Sequence, residues 1–124
     1  MSDVPKPAWQ DLSTNWKVWN AGITVVMGTD AGNIGTLHGP GVFREMELMQ
    51  RAGLTPLQVL RSATVNGAAT MALSDLGSVA AGNLADLAVL DADPLADVAN
   101  LSHASLVFRD GHEFIPAELM SAVH

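Results

Sequence analysis

The hydrophobic pattern of the chain is organised around one short, largely apolar run, Ile23-Thr24-Val25-Val26-Met27, which stops at Gly28-Thr29-Asp30. A continuous run of this length predicts a strand buried on both faces, which is typical of parallel sheets. In parallel α/β folds, the loop that follows the carboxyl end of a strand carries the chemistry. The pattern therefore places Asp30 where a functional side chain is expected.

Helical periodicity flanks this predicted strand on both sides. Residues 9–20 place their large apolar side chains on one helical face, and Gly22 follows as a left-handed cap. Residues 42–52 show a second helical period. Thr55-Pro56-Leu57-Gln58 combines an N-cap, a first-turn proline and a capping glutamine, which predicts a helix that runs to about Leu73.

The pattern changes to strands and turns after Asp75. Residues 84–91 predict a second buried strand. Residues 105–109 and 112–115 flank Asp110-Gly111, a strong signal for a tight hairpin. The order of these patterns thus favours an α/β protein with helices first and a small β region after them.

Composition and charge exclude several classes of function. The chain has 124 residues, 48% of them hydrophobic, and a net charge of -7. Nucleic acids and anionic membrane surfaces need clusters of lysine and arginine, which are absent, so neither is expected as a partner. There is no apolar run of membrane-spanning length and no cysteine. We therefore expect a soluble, cytoplasmic protein whose metals, if any, are bound by histidine or carboxylate side chains.

Five sequence pieces, in their order along the chain, resemble the C-terminal portion of the amidohydrolase superfamily, in its imidazolonepropionase-like and prolidase-like branch. The last barrel strand of that family resembles Asn20-Ala21-Gly22-Ile23 leading to Gly28-Thr29-Asp30-Ala31-Gly32. The further matches are His38-Gly39 ahead of residues 44–48, residues 52–56, residues 63–68, and residues 77–91 with Asp93-Pro94-Leu95 behind them. The order of the pieces makes the resemblance specific, because a lone Gly-Thr-Asp is a weak signal.

This resemblance implies the fold class and the domain division. Residues 1–73 would be the last helix–strand–helix units of a (β/α)8 TIM-type barrel. Residues 74–124 would be part of the small C-terminal β-sandwich domain that abuts the barrel.

The resemblance also implies roles for two residues. Asp30 would be a metal ligand and catalytic residue that accepts a proton from the water attacking an amide-type carbonyl, with zinc as the expected divalent metal. The alternative is that Asp30 caps the next helix or orders its loop. His38 would lie near the pocket mouth and contact the substrate, or it is an ordinary loop histidine. We expect Asp86 to be a buried or half-buried carboxylate that anchors a turn, and His103, His112 and His124 to be solvated.

Most of the metal ligands that the resemblance requires are missing from this chain. There is no His-x-His pair, and no strand that would carry the other histidines. One hypothesis is therefore that the chain is the C-terminal part of a metal-dependent amidohydrolase acting on a small peptidase-like or cyclic amide substrate. By itself the chain would then be inactive and would bind no metal. The alternative is a non-catalytic, self-associating module. The open edges of the predicted strand favour either a homo-oligomer or pairing with the missing barrel portion.

Overall fold

The structure, a computed structural model, describes residues 13–32 and 36–122. Helices and strands follow one another as α1 (Ser13–Asn20), α2 (Pro40–Arg51), α3 (Pro56–Ala63), α4 (Val65–Thr70), β1 (Leu87–Leu90), a 3₁₀ helix (Val98–Ser102), β2 (Ala104–Arg109), β3 (His112–Phe114) and α5 (Pro116–Ser121). None of the helices in these two ranges is both long enough and apolar enough to cross a membrane.

The hydrophobic core lies between the helices and the 3₁₀ helix. Its buried members are Met46 and Met49 of α2, Leu54, Val59 of α3, and Val98. The side-chain amide oxygen of Gln50 accepts a 3.2 Å hydrogen bond from the backbone N–H of Val98. The 3₁₀ helix is thus anchored to α2 by both apolar packing and a hydrogen bond, so residues from both halves of the sequence share one core.

The ends of α1 and α3 agree with the predicted start and stop signals. Gly22 has a φ of +77°, the left-handed conformation expected of a residue that ends a helix. At the start of α3, the Thr55 hydroxyl accepts from the N–H of Gln58 at 3.3 Å, and the Gln58 side chain accepts from the N–H of Thr55 at 2.8 Å. The predicted capping box is confirmed. The predicted part of α1 before Ser13 lies outside the described residues.

The helix predicted to continue to about Leu73 is interrupted, and this prediction is wrong in that respect. Thr64 has φ −126° and ψ −93°, which separates α3 from α4. Its hydroxyl donates to the carbonyl of Leu60 at 2.7 Å, a side-chain bond that competes with regular helical geometry. α4 then ends at Thr70, before Leu73.

Residues 23–30, called the extended segment below, belong to no helix and to no sheet among the described residues. From Thr24 to Thr29 the exposure alternates with a period of two, as in an extended chain, and Asp30 ends the segment with a left-handed φ of +49°. Val25 and Met27 are half-buried against the helical core, whereas Ile23 and Val26 are 57% and 43% exposed. The prediction of a strand buried on both faces is therefore wrong for this chain. A second covering layer and neighbouring strands are needed to bury both faces, and the described residues supply neither.

The C-terminal half forms one antiparallel sheet in the order β1-β2-β3. Asp110 and Gly111, with φ values of +50° and +74°, make the predicted tight turn between β2 and β3. Asp86 accepts a 2.7 Å hydrogen bond from the N–H of Asp110, which confirms that it anchors a turn. The prediction that Asp86 is buried or half-buried is wrong, since its side chain is exposed. The second buried strand is shorter and less buried than predicted, since β1 spans Leu87–Leu90 and Val89 is 43% exposed.

Candidate functional site

Asp30 lies at the end of the extended segment, exposed to solvent. Its φ of +49° is in the left-handed region, which aspartate tolerates better than most non-glycine residues. Two hydrogen bonds fix the segment that leads to it. The N–H of Met27 donates to the carbonyl of Ser62 at 3.1 Å, and the side-chain amide of Asn66 donates to the carbonyl of Val25 at 2.9 Å.

Asp30 does not cap α2, the next helix among the described residues. α2 begins at Pro40, and its N-cap position is Gly39, which has no side chain and receives no side-chain cap. The capping alternative for Asp30 therefore finds no support in the geometry at the start of α2.

His38 lies in the turn just before α2 and is exposed. A Cβ atom placed on Gly32 would lie 3.6 Å from Nε2 of His38, so the imidazole is next to the backbone two residues after Asp30. The N–H of Gly32 donates to the carbonyl of Thr36 at 3.1 Å, which brings the two sides of the loop together. The two candidate residues thus belong to one loop at one end of the extended segment.

The other histidines, at positions 103, 112 and 124, are not part of this loop. His103 is exposed and its Nδ1 lies 3.2 Å from the Ser102 hydroxyl, and His112 is exposed on β3. These two are solvated as predicted, whereas His124 lies outside the described residues.

The described residues do not form a metal site by themselves. Across residues 13–32 and 36–122, no three histidine, aspartate or glutamate side chains are grouped so that they could hold a metal ion. Asp30 offers one carboxylate, whereas a catalytic zinc takes three protein ligands. Residues 13–32 and 36–122 therefore do not fit a complete metal centre, and the chemistry of such a centre requires ligands from outside them.

An open cleft lies at the other end of the extended segment. It has a volume of about 440 Å³ and is lined by residues that include Trp19, Ile23 and Arg61. Ile23 begins the segment and Asp30 ends it, so this cleft is separate from the candidate site.

The sequence pattern also missed Asn66, whose contact with Val25 spans 41 positions and has no local signal.

The described residues form an α/β fold with a small three-stranded sheet, and Asp30 and His38 share one loop of it. The sequence model of the amidohydrolase family matches residues 10–113. The chain belongs to this family. No curated protein matches the sequence.

Solved structures show the same relationship. The chain is similar to phenylurea hydrolase B, with 27% identity, a TM-score of 0.76, and coverage of 86% of this chain and 27% of that one. It is similar to a Xaa-Pro dipeptidase at 29% identity and TM-score 0.74, covering 84% and 25%. Molinate hydrolase gives 33% identity and TM-score 0.71, covering 81% and 25%. The chain therefore spans about a quarter of the length of these proteins.

Proposed function

We propose that this chain supplies the last part of the active site of a metal-dependent hydrolase that cleaves an amide-type C–N bond. The observation that carries the proposal is the position of Asp30, exposed at the end of the extended segment in a chain of the amidohydrolase family. The similarity to a Xaa-Pro dipeptidase supports a small peptidase-like substrate, and the similarity to phenylurea hydrolase B supports cleavage of an amide-type C–N bond. A cyclic amide is the other substrate class of this proposal. A cytoplasmic location is part of this proposal, and a chain without cysteine is compatible with it.

In this proposal Asp30 is one ligand of a divalent metal ion, with zinc as the first candidate. A metal ion in such a site supplies an acidic water at neutral pH. The carboxylate of Asp30 is suited to accept a proton from the water that attacks the substrate carbonyl. His38 lies on the same loop and is proposed to contact the substrate, since its ring is exposed beside Gly32.

The chain by itself should be inactive, because it offers one of the ligands that a zinc site needs. The test incubates the purified chain with zinc or manganese and a panel of dipeptides, N-acyl amino acids and cyclic amides, alongside a measurement of bound metal. We expect no turnover above buffer and no stoichiometric metal. Turnover that Asp30→Asn abolishes would overturn the inactivity, and turnover that Asp30→Asn leaves intact would overturn the role of Asp30.

The coding sequence upstream of this chain offers an independent check of the catalytic proposal. An in-frame His-x-His pair there would supply ligands that the family's metal centre requires and that this chain lacks. A coding sequence that begins at Met1, with no such pair in reach, would favour the non-catalytic module.

The second candidate function, a self-associating module without hydrolytic activity, is favoured by the exposed apolar residues. Ile23, Val26 and Leu57 are 57%, 43% and 55% exposed, and each large apolar side chain gains about 1.5–3 kcal/mol on full burial. We propose that the isolated chain forms a homo-oligomer through this surface. Light scattering coupled to size exclusion measures its mass, and a compact monomer at micromolar concentration would contradict the association.

A further inference from the structure

The break between α3 and α4 creates hydrogen-bonding partners for the extended segment. In a continuous α-helix, the carbonyl of Ser62 would accept from the backbone N–H of Asn66. The non-helical dihedral angles of Thr64 prevent this continuation. The Ser62 carbonyl accepts instead from the N–H of Met27 at 3.1 Å.

Asn66 makes the second contact of the same kind. Its Nδ2 donates a 2.9 Å hydrogen bond to the carbonyl of Val25, and the contact is partly buried. Residues two apart in an extended chain direct their backbone groups to the same edge, so the bonds at Val25 and Met27 lie on one edge of the segment. The helix pair therefore occupies that edge as a neighbouring strand would.

The conformation at the end of the segment needs such support. A left-handed φ costs a non-glycine residue free energy, and it persists where the surrounding structure determines it. Asp30 has this conformation and lies three residues beyond Met27 and five beyond Val25. Neither contact touches Asp30, so any influence passes along the segment.

We propose that Asn66 is a positioning residue for Asp30. The hydrogen bond from its side-chain amide to the carbonyl of Val25 fixes the position of the segment along α4, and with it the position and direction of the Asp30 carboxylate. This inference rests on the catalytic role proposed for Asp30. The Ser62 carbonyl assists through the backbone, which leaves Asn66 as the contact that a side-chain substitution can remove.

The test uses the full chain and needs no substrate or metal. Asn66→Asp keeps the side-chain size and removes the donor, and Asn66→Ala is the second variant in case a charge at this position prevents folding. Asn83→Asp is the matched control, because Asn83 also donates through Nδ2 to a backbone carbonyl, that of Ser78 at 3.0 Å, in an exposed turn. Amide hydrogen exchange and backbone NMR shifts are measured on all four proteins.

We expect either Asn66 variant to speed exchange of the Met27 amide roughly fivefold, the effect of losing one neutral hydrogen bond. The backbone shifts of Asp30 should change, while exchange of the Val59 amide in the core stays the same. The Asn83 variant should alter neither Met27 nor Asp30. If amide exchange at Met27 and the backbone shifts of Asp30 are unchanged in the Asn66 variants, the proposal is overturned. Equal acceleration of amide exchange at Met27 and Val59 would also overturn it, because that result indicates general destabilisation. Neither measurement depends on turnover. Failure of the positioning role of Asn66 can therefore be distinguished from failure of the catalytic proposal, which is tested by Asp30→Asn.

Discussion

Among the glycines in the described part of the chain, Gly77 leaves the least room for a Cβ atom. Its substitution therefore gives the sharpest test of the packing against α4. A Cβ at this position would lie 2.9 Å from Cα of Val65, 3.0 Å from Cβ of Ala68 and 3.0 Å from the carbonyl carbon of Thr64. Two of these three atoms belong to the backbone at the start of α4, so no side-chain rotation can relieve the contact. Gly77 also has a φ of +81°.

Two costs add in Gly77→Ala. The left-handed conformation costs a residue with a Cβ about 1–2 kcal/mol, and overpacking in a close contact costs about 1–3 kcal/mol. Gly82→Ala separates them, because Gly82 has a similar φ of +92° and nothing within 4 Å of its added Cβ. We therefore expect Gly77→Ala to lose about 2–5 kcal/mol of unfolding free energy and Gly82→Ala about 1–2 kcal/mol.

The measurement is urea unfolding followed by far-ultraviolet circular dichroism on the wild type and both variants. Similar m-values would show that the variants unfold from states of similar compactness, so that differences in midpoint report stability. Equal losses for the two alanine variants would refute the reasoning, because they would mean that Gly77 does not pack closely on α4. A folded Gly77→Ala protein whose urea midpoint equals that of the wild type would refute both the conformational cost and the packing cost.

Three further substitutions test separate contacts. Asp86→Ala removes the acceptor for the N–H of Asp110 and should cost about 1 kcal/mol of unfolding free energy. Amide exchange should become faster at Asp110 but not in the core, and unchanged exchange at Asp110 would contradict the anchoring role of Asp86. Thr55→Ala should cost about 1 kcal/mol in thermal unfolding, because it removes one half of the capping box with Gln58, whereas Thr55→Ser should retain most of the stability. Asp30→Asn should change unfolding free energy by no more than ~0.5 kcal/mol, and a loss of ~1 kcal/mol or more would indicate a structural role instead.

The elements predicted correctly from the sequence are those fixed by short-range chemistry. The capping box needs residues three positions apart, Thr55 and Gln58, and both hydrogen bonds form. The turn between β2 and β3 needs two adjacent residues that tolerate positive φ, and Asp110-Gly111 supplies them. Neither feature depends on the rest of the fold, so the sequence pattern suffices.

The helix break was not predictable in this way. The residues around Thr64 continue a helical pattern, and threonine is compatible with either state. The break brings Ser62 and Asn66 to the extended segment, where they bond Met27 and Val25 across 35 and 41 positions. Long-range hydrogen bonds of this kind have no periodic signal in the sequence, so the pattern predicted one helix where the structure has two.

The candidate site was predictable only as far as one strand end. The apolar run and the acidic residue after it gave Asp30, and the family resemblance gave His38 on the same loop. A complete metal site needs side chains from several strands, and those side chains are not grouped in the described residues. The signal in residues 23–30 therefore specifies where the proposed ligand, Asp30, lies without specifying what surrounds it.

The two edges of the extended segment determine how the chain can associate. The edge with Val25 and Met27 is occupied by Asn66 and Ser62. Among the described residues, no backbone hydrogen bond occupies the opposite edge, to which Thr24 and Val26 direct their backbone groups. A strand with one free edge can pair with a second copy once, which closes the assembly by two-fold symmetry, whereas two free edges would allow open filaments. Association through this segment should therefore stop at a dimer, and a mass that keeps rising with concentration would mean either that the contacts from α3 and α4 do not persist in solution or that the outer edges of β1 and β3 also pair.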